Sequence, residues 1–522
     1  MQATAYERLV AHLKRAHYLG TVAGLLGWDE QVNLPLDSAD QRAEQLALLA
    51  ELQHAAAADP AIGELLRELE SATASQPQCH LLGDTGVRAE AVGGGAAVGG
   101  VADQAVVVRE ARRDYERVVK LPVAFVAEKA RHASAAYHAW AAAKQADDFS
   151  AFAPFLQKHL ELARQEAAFL GWSERPYDYA IDKHDPGLTA AKLTALFNEL
   201  KAGLGPLVRA IAASPVRPPA GVLKKFPVDA QRDFLREVTE KLGFNYRRGR
   251  IDVSLHPFCE GAGADIRMTT RFDADNPLDS LFSSIHETGH GLYEQGLPLA
   301  AQGTPLGQNA GMGVHESQSR LWENQVSRSR AFWRFFEPRF REKFPAQLAT
   351  VSSDELYLAV NEVAPTLIRV DSDEVHYNLH ILLRFELERR LFAGELAVAD
   401  LPAAWNTLSE ELLGLTPDSD RTGVLQDVHW SGGAFGYFPS YCLGNMIAAQ
   451  LWFTVLAQYP DLDADFAAGD FSRLLGWLRT QIHEQGRRYE ALELVRRVTG
   501  EELTPKYLLR YLHERYSPLY LG

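Results

Sequence analysis

Five consecutive residues, His286-Glu287-Thr288-Gly289-His290, carry two imidazoles four positions apart with a carboxylate beside the first. Positions four apart share one face of a helix, so His286 and His290 would project side by side at a separation suited to one metal ion. Glu287, the next residue along, would reach a metal-activated water without ligating the metal. A zinc ion that keeps one coordination position open needs a third protein ligand. Glu316, in GVHESQSRLWENQV, is the candidate, 26 residues past the second histidine (316 − 290 = 26). Peptidases with a His, His and downstream Glu ligand set have a similar spacing. Glu294 lies one turn beyond His290 and is expected to point past the metal, and Glu323 is the weaker rival. A second HxxxH, His376 and His380, has Tyr377 where a base would stand and reads as packing or cleft lining.

These residues need rigid elements to hold them. The helix carrying the two histidines is expected to start with Asn276 as N-cap and Pro277 at its first position, and to stop at Gly296. Phe282 and Tyr293 share the histidine face, which places it on the buried or cleft side. Helical spacing of apolar residues runs through most of the 522 residues, so the fold is expected to be mainly α. Residues 251–272 instead alternate apolar and polar on both sides of Gly261-Ala262-Gly263 and read as a β-hairpin or pair of strands walling a cleft. The stretch 76–104, with AVGGGAAVGG, is expected to be a loop or insertion, with helical patterning resuming by Val108. It separates a lid over 1–75 from a catalytic body over 105–522.

The formal net charge of −15, with no dense basic cluster, argues against a nucleic-acid partner. Three widely spaced cysteines, Cys79, Cys259 and Cys442, make a poor disulfide framework and suit a reducing compartment. No charged residue occurs between Trp430 and Pro460, but the helical part, about 446–459, is too short to span a bilayer. It is expected to be a buried helix, with no membrane partner.

Six motifs occur in order: HPF at 256–258, DIRMT at 265–269, HETGH, HESQ at 315–318, IRVDSDEVHY at 368–377 and GVLQDVHW at 423–430. Together they resemble the carboxypeptidase Taq family of metallocarboxypeptidases. The resemblance implies a two-lobed helical fold with N-terminal helices over a deep substrate cleft and the small sheet lining it. It also implies a cytoplasmic homodimer that uses zinc or cobalt to release single residues from peptide C-termini with broad specificity. Ser372 and His376 depart from the Ala and Thr usual in the fifth motif, which could alter specificity.

Under that resemblance Glu287 is the general base and acid. By analogy with related peptidases His429, with Tyr437 or Tyr441, would serve the developing oxyanion, and Asp427 could orient His429. Arg267 and Arg369 are candidates to grip the terminal carboxylate, because a guanidinium does so bidentately, although Arg267 could simply pair with Asp265. His256 would contact the substrate backbone or line the site, and a strand edge near Asp265 could pair with an extended peptide. His315 would have a packing part or one behind the metal ligands. An oligopeptidase of the same zinc class would cut internal bonds instead. A silent peptide-binding protein with a structural zinc would have no use for Glu287.

Overall fold

Helical periodicity predicts the architecture well. The computed structural model describes residues 3–74, 100–219 and 221–522 and contains twenty α-helices and one small sheet. The N-terminal layer comprises α1 (Ala5–Val32), α2 (Ala39–Ala57), α3 (Pro60–Ala74) and α4 (Val101–Val119). The body begins with α5 (Val123–Ala146), α6 (Phe149–Phe169), α7 (Pro176–Asp182), α8 (Ala190–Ala213) and α9 (Val228–Leu242). The strands follow, then α10 (Pro277–Gly296), α11 (Met312–Arg320), α12 (Arg330–Lys343), α13 (Ser353–Val360), α14 (Tyr377–Ala393), α15 (Leu401–Leu413) and α16 (Phe438–Gln458). Shorter helices α17 (Leu462–Ala467), α18 (Ser472–Gln481) and α19 (Ala491–Thr499) precede the final α20 (Lys506–Tyr520).

Most of the Gly-rich stretch falls at 75–99, outside the described residues. Its end is not a loop: α4 starts at Val101, ahead of Val108. Those first turns lack a charge pattern, but Val107 is buried against Ala301 and Leu306 of the body. Burial supplies what amphipathic periodicity does not show.

The sheet has the order β1-β3-β2, with β1 (Gly249–Val253), β2 (Cys259–Ala262) and β3 (Asp265–Thr270). β2 and β3 form the expected hairpin, with Glu260 opposite Arg267, while β1 pairs parallel to β3. Asp265 therefore lies on the central strand, and the open edge next to it belongs to β2. The strand edge expected near Asp265 is thus that of β2, not of Asp265's own strand. Strand alternation is local, whereas strand order depends on what the connecting segment allows.

The apolar run near the C-terminus folds as α16, which starts at Phe438 rather than near Met446 and spans 21 residues. By length and composition it could cross a membrane, yet 78% of its most apolar window is buried within the protein. Its apolar surface is thus taken up by the core, where α16 packs along α11. Pro439 in its first turn is compatible with an early start, because the missing N–H is unpaired there anyway.

Candidate metal centre and catalytic cleft

Asn276 caps α10 by position only, since its side chain makes no capping bond, and Pro277 opens the helix as expected. One turn apart on α10, His286 and His290 bring their Nε2 atoms to 3.2 Å. The Oε2 of Glu316, from α11, lies 3.6 Å from Nε2 of His286 and 3.5 Å from that of His290. Donors about 2.0–2.1 Å from a tetrahedral ion stand roughly 3.3 Å from one another, so this spacing suits one divalent metal.

Two glycines allow the approach. A Cβ on Gly289 would lie 2.5 Å from the Cα of Ser319, so α10 and α11 could not pack this closely with any other residue there. On α16, a Cβ on Gly444 would lie 2.6 Å from the Cβ of Glu316.

The second nitrogen of each imidazole fixes which lone pair faces the centre. His286 Nδ1 donates to Glu323 Oε2 at 2.8 Å. His290 Nδ1 is 2.6 Å from His315 Nδ1, and His315 Nε2 is 2.9 Å from Glu294 Oε1. Because a carboxylate only accepts, His315 carries its proton on Nε2, and its Nδ1 accepts a hydrogen bond from the His290 Nδ1–H. Both ligand imidazoles then present a bare Nε2 to the centre, as a metal requires. Glu323 and Glu294 therefore orient imidazoles and are not in the three-donor cluster, and of the two parts expected for His315 it takes the one behind the metal ligands. Glu323 sits on a π-helical turn, Leu321–Val326, that continues α11 and carries it round to His286.

Charge is balanced locally. Arg320 donates to Glu316 at 2.7 Å and to Glu323 at 3.1 Å, with its guanidinium over the Tyr377 ring. Burial pushes the Glu316 carboxyl up, but Arg320 and the two imidazoles outweigh it and hold the group well below the usual range. Burial pushes His290 down to about 3, helped by His315. In His286 burial is outweighed by Glu316 and Glu323, and the shift is upward. In Glu287, 7% exposed, burial outweighs the opposing pull of His286 and pushes the carboxyl up to about 7. A carboxylate poised near neutrality suits proton transfer.

Across from the cluster, Arg369 and Arg384 share Asp427 at 2.9 and 2.6 Å, and Arg369 also donates to the Tyr377 hydroxyl at 3.1 Å. Asp427 does not orient His429, because both its oxygens are taken by the guanidiniums. The His429 Nε2 instead meets the Tyr441 hydroxyl at 3.1 Å. The Tyr437 ring lies 5.5 Å from that of His429 and 5.3 Å from that of Tyr441. Burial raises the Tyr437 phenol to about 12, and the nearby Glu316 charge adds to the shift. Tyr437 and Tyr441 both feel that charge, so the tyrosine pair borders the three-donor cluster.

Other expected site residues are not brought together with the cluster. Arg267 pairs bidentately with Asp265, at 2.9 and 3.0 Å, and lies 4.2 Å over the Trp28 ring of α1. Ile266 and Met268, on the opposite face of β3, are the side chains packed into the core. Arg267 and Asp265 thus tie the sheet to the N-terminal helices. His256 is exposed in the β1–β2 connection, and its carbonyl accepts from Ser254. His376 is held by Asp373 at 2.7 Å, and His380 is buried in α14, in line with packing. A cavity of about 380 Å³ separates α1–α4 from β2, lined by His17, Gly20, Asp114, Tyr115, Glu260 and Gln308 among others.

Sequence reasoning passed over Arg320, Arg384 and Asp185. Arg320, four residues after Glu316 on the same helix, was within reach of i,i+4 reasoning. Asp185 accepts from the Gly313 N–H and the Ser440 hydroxyl, joining the starts of α11 and α16. Nothing in the local sequence announces that contact.

Two imidazoles, a carboxylate from a second helix and a free acid beside them define a metallopeptidase centre. The family model for carboxypeptidase Taq (M32) metallopeptidases matches residues 8–516. Thermostable carboxypeptidase 1 of Thermus thermophilus is 41% identical over 99% of both chains. Carboxypeptidase 1 of Bacillus subtilis is 36% identical over 98% of this chain and 97% of its own. The crystal structure of M32 carboxypeptidase from Deinococcus radiodurans R1 superposes with a TM-score of 0.92, at 42% identity and full coverage of both chains. The chain belongs to the carboxypeptidase Taq family and is a metallocarboxypeptidase.

Proposed function

We propose that this enzyme releases single amino acids from peptide C-termini, with broad specificity, using zinc, or cobalt in its place, held by His286, His290 and Glu316. The observation that carries this reading is the convergence of their three donor atoms within 4.8 Å, beside the buried Glu287. When bound, such an ion supplies Lewis acidity that acidifies water and polarises a carbonyl.

The remaining work falls to side chains. The Glu287 carboxylate takes a proton from the attacking water and delivers it to the departing amide nitrogen as the C–N bond breaks. The Tyr437 hydroxyl and His429 donate to the oxygen on which negative charge develops, with Tyr441 holding His429. Arg369 attracts the substrate's terminal carboxylate. Two guanidiniums against one Asp427 leave a positive charge in surplus, in a pocket where little water screens it. The upstream part of the peptide runs along the free edge of β2, whose Cys259 lies within electrostatic reach of Glu287, toward the cavity under α1–α4.

The free thiols of Cys259 and Cys442 and the acidic composition favour a cytoplasmic enzyme without nucleic-acid or membrane partners. Membership of the family supports a homodimer. Digestion of an N-terminally blocked peptide, followed by mass spectrometry with and without chelator, tests the activity. The expected result is a ladder shortened one residue at a time from the C-terminus, lost with chelator and restored by zinc or cobalt. Internal cuts alone would favour an oligopeptidase.

A further inference from the structure

The segment from His429 to Tyr437 is clasped from behind by a single buried carboxylate. Glu388, on α14, is 0% exposed, and no lysine or arginine forms an ion pair with it among the described residues. Its Oε1 accepts from the Trp430 indole N–H at 2.7 Å. Its Oε2 accepts from the Gly436 backbone N–H at 2.8 Å and the Tyr177 hydroxyl at 3.1 Å. Trp430 directly follows His429, and Gly436 directly precedes Tyr437. The same carboxylate therefore holds both ends of the segment that presents those two side chains.

Two histidines fasten the middle of the segment. His159 Nε2 is 2.9 Å from the Ser431 carbonyl, and His184 Nε2 is 3.3 Å from that of Phe435. Neither of them bonds to both ends. An acid buried without a cation is costly, and an apolar residue of similar size would pack more cheaply. What an apolar residue could not do is accept hydrogen bonds from Trp430 and from Gly436 at once.

We propose that Glu388 is a positioning residue for the reaction, setting the separation and angle of His429 and Tyr437 through the two ends of their shared segment. This rests on the reading of those two side chains as oxyanion donors. The variant Glu388→Gln keeps the size but replaces one acceptor oxygen with an amide that confronts an N–H or O–H. A displacement of about 1 Å in such a site costs on the order of 100-fold, so kcat is expected to fall about 10- to 100-fold. KM should stay within about twofold, and metal content should be unchanged. Trp430→Phe removes one donor from the other side and should lower kcat severalfold. Combining the two should cost less than the product of the single losses, because both break one contact.

His429→Ala and Tyr437→Phe serve as references. If neither lowers kcat, the donor reading fails and Glu388 has nothing to position. If they lower kcat while folded Glu388→Gln keeps the parent value, or its loss multiplies in full with that of Trp430→Phe, the positioning role alone is overturned. Should Glu388→Gln not fold, Trp430→Phe decides the matter, and a parent-like kcat overturns the proposal.

Discussion

The metal cluster and the four N-terminal helices are built by different means. Around the cluster, buried nitrogen donors meet carboxylates at short range: Arg320 with Glu316 and Glu323, His286 with Glu323, and His315 with Glu294. Each bond fixes a ring or a carboxylate in one orientation. The N-terminal layer has a small core of its own, centred on Leu9, Ile62, Leu65, Leu66 and Ala111. Long side chains in ion pairs fasten it to the body: Arg487 with Glu110 and Asp114, Arg113 with Glu490, and Arg488 with Asp103. Tyr18, Val22 and Leu25 of α1 remain exposed. Directional buried bonds make a preorganised centre. Of the N-terminal pairs, Arg113 with Glu490 and Arg487 with Asp114 have half-exposed carboxylates and are weaker and more screened by salt, while Glu110 and Asp103 are buried. The centre is thus rigid, while the N-terminal helices rest in part on more exposed pairs.

The largest expected effect lies at the base. Glu287→Gln should lower kcat by about 10²–10⁴-fold while metal content stays at the parent value, measured by elemental analysis beside a peptidase assay. Appreciable turnover would place the base elsewhere. Next comes the ring behind the ligand. His315→Ala should weaken metal binding by about 10–100-fold, with activity recovering at saturating metal. An unchanged affinity in a chelator competition would mean that the His290–His315–Glu294 chain does not tune the centre.

Changes at the ion pairs of the N-terminal helices should be smaller and of another kind. Arg487→Ala removes a contact to two carboxylates and is expected to raise KM severalfold with kcat intact. That difference should shrink in high salt, where the parent's own pairs are screened. A fall in kcat as large as that of His315→Ala would erase the contrast between the two regions. Arg267→Ala should be mildest, changing stability by about 0–1 kcal/mol and kcat/KM by less than about twofold, since its Asp265 pair is partly exposed. A large rise in KM on C-terminally free peptides would return Arg267 to the list of substrate clamps.

The sequence revealed the features that depend on local periodicity. HETGH on an amphipathic helix required only the 3.6-residue repeat, and Glu316 followed from its distance to His290. Where the repeat changes, reading fails. Glu323 lies on a π-turn, so an α-helical count does not take it to His286. The start of α16 was missed because a helix buried on all sides shows no apolar stripe. Asp427 was matched with its near neighbour His429, but two arginines from 369 and 384 compete for it, and charge prevails over proximity in sequence. The place of β3 at the centre of its sheet depends on a parallel partner, which no alternation pattern reveals.

The most direct test is a crystal structure of the zinc-loaded protein with anomalous data collected at the zinc edge. One peak is expected within bonding distance of His286 Nε2, His290 Nε2 and a Glu316 oxygen, with Glu287 and Glu323 uncoordinated. A peak ligated by Glu287 or Glu323, or one lying away from these imidazoles, would contradict it.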